Sequence, residues 1–93
     1  MTTHNTYFGG AVQSLGFERN GRKQTVGVIA PGKHHFDTGG AERMTVVCGE
    51  LEARLAPEAP WKHYPEGTAF EVPGSSAFEV RAAVPSAYWC EFI

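Results

Sequence analysis

Ninety-three residues give room for one domain with one hydrophobic core and no space for a second. Hydrophobic residues at 42% and charged residues at 19% exclude a disordered chain, and two cysteines exclude a disulfide scaffold. A formal net charge of −2 with scattered basic residues excludes the basic stripe of a nucleic-acid binder, and no apolar run reaches membrane-spanning length. Eleven glycines and six prolines favour many tight turns over long helices.

The opening Met-Thr-Thr-His-Asn-Thr has neither the charged nor the apolar region of a secretory signal, so the cytosol is the expected compartment. Arg19-Asn-Gly-Arg22-Lys23 reads as a solvated hairpin tip. Thr25–Ile29 is a β-branched run ended by Ala30-Pro31-Gly32. Lys33–Thr38 leads into Gly39-Gly40, and the apolar run within Arg43–Cys48 stops at Gly49-Glu50. Leu51–Leu55 alternates apolar and polar residues, the period of a half-buried strand. Ala56–Pro60 holds two prolines and is the centre of neither strand nor helix. Trp61–Tyr64 resumes extended structure until Pro65-Glu66-Gly67 turns it, and Thr68–Val72 is stopped by Pro73-Gly74. Ala77–Arg81 alternates again, and Ala87–Ile93 forms the last strand.

No stretch keeps apolar residues at helical spacing for three turns. Eight or nine short strands predict an all-β fold, with residues 1–93 as a single-domain, jelly-roll β-barrel whose closure protects most strand edges. Cys48 and Cys90 both lie in apolar alternating stretches and are expected to be buried reduced thiols, with a Cys48–Cys90 pair as the alternative.

Two spacings give the barrel a family frame. Glu42 is followed by six residues and then Gly49, and Gly67 by five residues and then Pro73. This frame resembles the two signature motifs of cupin barrels, which normally hold a metal with three histidines and a glutamate. Here Phe36 and Thr38 stand at the first two histidine positions and Phe78 at the third, leaving Glu42 alone of the ligand set. Phenylalanine cannot coordinate a metal, so no metal is expected. A one-residue change of register would place His35 and Asp37 at the first two positions instead, with the opposite strand face turned inward.

A second likeness covers nearly the whole chain. Tyr7-Phe8, Gly16-Phe17, Gly21-Arg22, Val26-Gly-Val28, Phe36-x-Thr38, Glu42-x-Met-Thr-Val46, Phe70-x-Val-Pro-Gly74, Ser76, Phe78, Tyr88 and Cys90 carry it, among others. Together they resemble the small cupins known as pyrimidine/purine nucleoside phosphorylases, which have Phe-x-Thr where metal cupins have His-x-His. The resemblance implies phosphorolysis of a broad range of nucleosides to free base and ribose 1-phosphate. It also implies a cytoplasmic homodimer with no cofactor beyond inorganic phosphate as co-substrate, and with neither nucleic acid nor membrane as partner.

That chemistry needs negative charge facing an oxocarbenium-like ribose, donors for a phosphate, and a stacking wall for the base. Glu42 is the residue expected to face the ribose, against the bland alternative of a surface glutamate. Arg22 is expected to grip phosphate, unless it is only part of the exposed hairpin tip. Thr38 and Ser76 offer hydroxyls to phosphate or ribose, or else cap turns and strands. Phe36, Phe78, Tyr7 and Tyr88 are candidates to stack on the base, or to fill the core. His34, His35 and His63 match no position of the family pattern and read as surface histidines. Two other readings stand beside the phosphorylase: a metal-dependent cupin enzyme using His35, Asp37 and Glu42, and a non-catalytic cupin that binds a small metabolite.

Overall fold

A computed structural model describes residues 2–93. Ten strands follow in chain order: β1 (Thr3–Tyr7), β2 (Val12–Arg19), β3 (Arg22–Ile29), β4 (Gly32–Thr38), β5 (Glu42–Cys48), β6 (Glu50–Arg54), β7 (Lys62–Pro65), β8 (Ala69–Val72), β9 (Ser76–Ala82) and β10 (Ser86–Phe92). They pair antiparallel in two sheets, β1-β2-β3-β10-β5-β8 and β4-β9-β6-β7. The all-β cupin-type barrel expected from the sequence is the fold. Among the described residues no helix is long and apolar enough to cross a membrane.

Strands β3 to β10 are those that the turn residues delimit in the sequence. The hairpin tip is as expected: Arg19 pairs with Arg22 across Asn20-Gly21, whose φ angles of 55° and 70° suit a two-residue primed turn. Strands β1 and β2 add to the eight or nine expected. Apart from Tyr7 and Val12 at one end, their inner positions are Thr3, Asn5, Ser14 and Gly16, which give no apolar period to read.

Side chains of alternate parity meet between the sheets. Val12, Ile29, Val46, Leu51, Val72 and Val80 are fully buried there, with Phe70, Phe78, Met44 and Tyr88 packed beside them. Apolar residues fill one end of the barrel. Toward the other end the inner positions turn polar, from Ile29 to Thr25 on β3 and from Val46 to Glu42 on β5.

Cys48 departs from expectation: it is exposed, while Cys90 is buried and both thiols are free. The cause is a register shift opposite Ala87 and Tyr88, where the partners step from Cys48 to Val46. This bulge leaves Val47 as the extra residue and turns Cys48 out of the alternation.

Gly27 pairs with Tyr88 across β3 and β10, and a Cβ at Gly27 would lie 2.5–2.7 Å from the tyrosine ring. The bare backbone is therefore what admits Tyr88 to the inner face. Gly27→Ala should displace that ring and destabilise the fold by about 1–3 kcal/mol, the range for overpacking a filled site. Thermal melting checks this, at roughly 4–8 °C per kcal/mol for a domain of this size.

Candidate active site

At the polar end of the barrel a pocket of about 320 Å³ opens between the sheets. That is the small end of the range for ligand sites, roughly 300–1,000 Å³. Alternation on each strand supplies its lining: Ser14 from β2, Thr25 from β3, Phe36 from β4, Glu42 and Met44 from β5, Phe78 from β9, and Tyr88, Cys90 and Phe92 from β10. Tyr7 and Phe8 stand at the mouth, about half exposed.

One wall is aromatic. Phe36 and Phe78 face each other in register on β4 and β9 and stack at 5.3 Å between centroids. Phe8 meets Phe36 edge-on at 5.7 Å, and Phe70 meets Phe78 edge-on at 6.2 Å. Phe8 holds a positive φ of 52° just before Gly9, a conformation costly for a bulky residue. The strained turn aims its ring at Phe36 and His34.

The opposite wall carries the charge. Glu42 is half-buried, and its Oε1 accepts a hydrogen bond from Cys90 Sγ at 3.2 Å. Loss of water raises the Glu42 pKa above the ordinary carboxylate value, and the thiol's hydrogen bond opposes that rise. Burial, reinforced by the neighbouring carboxylate, pushes the Cys90 thiol far up, so it stays protonated and donates. Burial likewise pushes the Tyr88 phenol up to about 12. Glu42 is thus the one group on this wall able to carry a negative charge near neutral pH.

The structure brings Glu42, Phe36, Phe78, Tyr7 and Tyr88 to this pocket. Thr38 and Ser76 are engaged elsewhere: Thr38 Oγ1 donates to Pro73 O at 2.8 Å and accepts from Ser76 N at 3.0 Å, tying β4 to β9. Arg22 lies apart. Its position on β3 faces outward, into a depression with Trp89 and Gln24, and its Nη1 is 4.0 Å from Glu91 Oε2.

The register question resolves with Phe36 and Thr38 inward. His35 and Asp37 take the outer parity of β4, are exposed, contribute to the rim of the pocket's lining, and bond to each other at 3.2 Å. Among the described residues no three His, Cys, Asp or Glu side chains come together to hold a metal ion. His34 is a correction to the surface reading, because it is buried with Nε2 3.1 Å from Ala30 O. His35 and His63 are exposed, the latter bonded to Glu50. The sequence reading missed Phe8, Ser14, Thr25 and Cys90 as pocket residues. For Cys90 the signal was present, since it lies two residues from Tyr88 on the same strand face.

Comparison with known proteins gives consistent results. The family model for pyrimidine/purine nucleoside phosphorylase matches residues 2–92. A pyrimidine/purine nucleoside phosphorylase from an Anaeromyxobacter species is 60% identical, over all of this chain and 89% of that protein. A Vibrio parahaemolyticus protein described as of unknown function has a solved structure that superposes with a TM-score of 0.96. It is 43% identical, over 100% of this chain and 99% of its own. A cupin superfamily protein from Desulfitobacterium hafniense shares the fold at a TM-score of 0.73 and 10% identity, covering 88% of this chain and 76% of its own.

The raised pKa of Glu42 has a consequence for stability. A carboxylate whose folded pKa lies above its unfolded value favours folding while protonated, and that contribution is lost as pH rises through the folded pKa. Glu42→Gln should therefore melt at or above wild type at neutral pH. The gain should close as pH falls below the ordinary glutamate pKa of roughly 4.3. Calorimetry across that range checks the sign; a variant less stable at neutral pH than at acid pH, relative to wild type, contradicts it.

Proposed function

This chain belongs to the pyrimidine/purine nucleoside phosphorylase family, and from that premise we propose that the pocket performs phosphorolysis of both purine and pyrimidine nucleosides. The products are the free base and ribose 1-phosphate. The observation that carries the reading is a half-buried carboxylate, Glu42, facing an aromatic wall across the pocket between the sheets. A base lies against Phe36 and the mouth residues Tyr7 and Phe8. Stacking suits a broad substrate range because every base offers a π-face. The ribose then points at Glu42 between Tyr88 and Phe92.

As the bond from C1′ to the base nitrogen breaks, its electron pair leaves with the base and positive charge grows on the ribose ring. Ionised Glu42, half-buried, faces that charge as a preorganised group. An oxygen of hydrogen phosphate forms the new bond to C1′, and the proton that the phosphate carried ends on the departing base, so that ribose 1-phosphate and neutral base result. No step requires a metal, and Phe36, Thr38 and Phe78 occupy the positions from which cupins ligate one.

Adenosine and uridine should release base only when phosphate is present, and arsenate should replace phosphate. Activity should persist in chelator. Glu42→Gln should lower kcat about a hundredfold or more, with the melt of the fold preserved. The acid limb of the kcat/KM profile should lie above the ordinary glutamate value, since the ionised form acts. Base release that is equally fast without phosphate would make the protein a hydrolase, and no release at all would favour a metabolite-binding cupin.

We also propose a cytoplasmic homodimer. The outer face of the larger sheet carries Leu15, Val26 and Val28 at 51%, 44% and 56% exposure, with Val47 at 52% near by. Leu15, Val26 and Trp89 stand side by side across β2, β3 and β10, so the apolar side chains form one surface. A twofold axis through such a face lets two copies cover each other. Trp61 is no part of it, being held between Arg54 and Arg81 at 4.5 and 4.3 Å. Light scattering should report a dimer at micromolar concentration, and Val28→Lys should shift it to monomer.

A further inference from the structure

We propose that the phosphate binds not at Arg22 but in a second hollow beside the pocket, with Lys23 as its cation. The proposal rests on the phosphorolysis reading above. Alternation on β3 carries the argument. Thr25 lines the nucleoside pocket and Gly27 and Ile29 face the core, so Lys23 shares their inner face while Arg22 takes the outer one.

Lys23 Nζ lies over the ring of Phe92, 5.4 Å from its centroid. Phe92 lines the nucleoside pocket and is the register partner of Glu42. The ammonium therefore stands beside the carboxylate wall. The nucleoside pocket itself has no lysine or arginine in its lining. Arg22, Lys33, Arg43, Arg54 and Arg81 are each within 4.0 Å of a glutamate; of the cations without an ion pair among the described residues, Arg19 and Lys62 line neither cavity and Lys23 lines the hollow.

The hollow is about 170 Å³ and is lined by Thr3, Asn5, Gly16, Phe17, Glu18 and Lys23. It has room for several waters at roughly 30 Å³ each, and so for one tetrahedral oxyanion. Its donors are the Asn5 amide, the Thr3 hydroxyl and the ammonium. Asn5 Nδ2 also donates to Ser14 Oγ at 3.4 Å, and Ser14 lines the nucleoside pocket, so the hollow adjoins that pocket and a phosphate in it approaches the ribose from the side of this pair. Gly16 forms part of the floor, where a Cβ would be in ordinary contact with Asn5 and Thr3 at 3.8 Å. Glu18, opposite Lys23 in the ladder, is the single acidic group of the lining and opposes a doubly charged anion.

Two measurements test this. In steady-state phosphorolysis, Lys23→Ala should raise the KM for phosphate about tenfold or more, as loss of a charge-assisted contact does, and leave the KM for nucleoside within about twofold. Lys23→Arg should recover most of the loss, Glu18→Gln should lower the phosphate KM, and Arg22→Ala should leave it within about twofold. The second measurement is titration of inorganic phosphate without nucleoside, followed by ³¹P NMR, with thermal melts confirming that each variant is folded. Wild type should bind and Lys23→Ala should not. An unchanged phosphate KM in Lys23→Ala, or an equal rise in Arg22→Ala, overturns the assignment. If wild type releases no base with phosphate, the phosphorolysis reading has failed and the titration decides alone. Binding lost with Lys23 upholds the hollow; binding that is absent in wild type or unchanged in the variant overturns it.

Discussion

Tyr88 lies with its ring against the bare backbone of Gly27, and much of the site's geometry follows from that contact. Strand β10 runs between β3 and β5 in the middle of the larger sheet, so its register fixes both neighbours. With Tyr88 inward, Cys90 and Phe92 are inward too, because successive side chains alternate. Cys90 then meets Glu42 from β5, and Phe92 comes under Lys23 from β3. The same parity turns Trp89 and Glu91 outward, where Trp89 Nε1 donates to Gln24 Oε1 at 2.9 Å and Glu91 takes the arginines. One glycine thus separates a polar interior end from an apolar outer face.

How well the sequence foretold the structure varies along the chain for a physical reason. Strand β3 is legible from β-branched residues, of which Val26 and Val28 face outward. Strands β5, β6 and β8 to β10 announce themselves because their inner positions include core residues, so burial writes a readable apolar pattern. Strands β1 and β2 do not. Beyond Val12, which reaches the core, their inner positions Thr3, Asn5, Ser14 and Gly16 face cavities, and a pocket wall has no apolar period. Local rules fail here where a site replaces packing.

Register behaved in the same way. Two readings of β4 were open from spacing alone, and the stack of Phe36 on Phe78 decides between them. A slip of one residue would bury His35 and Asp37 and expose that pair of rings. Arg22 and Lys23 illustrate the finer limit. The hairpin tip was legible, but which of its cations faces inward depends on where the ladder starts, and that is set by pairing with β10.

The carboxylate wall explains why the pocket is not simply more core. A leucine at position 42 would pack between Cys90 and Met44 without the cost of desolvating a charge. Instead the chain places a glutamate there and gives it one weak donor. Cys90 is suited to this task because its thiol, with a pKa pushed far up, gives a hydrogen bond and never competes for the negative charge. A lysine in that place would neutralise the carboxylate and remove the field that a developing ribose cation needs. On the proposed mechanism, this weak support leaves the charge of Glu42 uncompensated, and a positively charged transition state would relieve the cost of its desolvation.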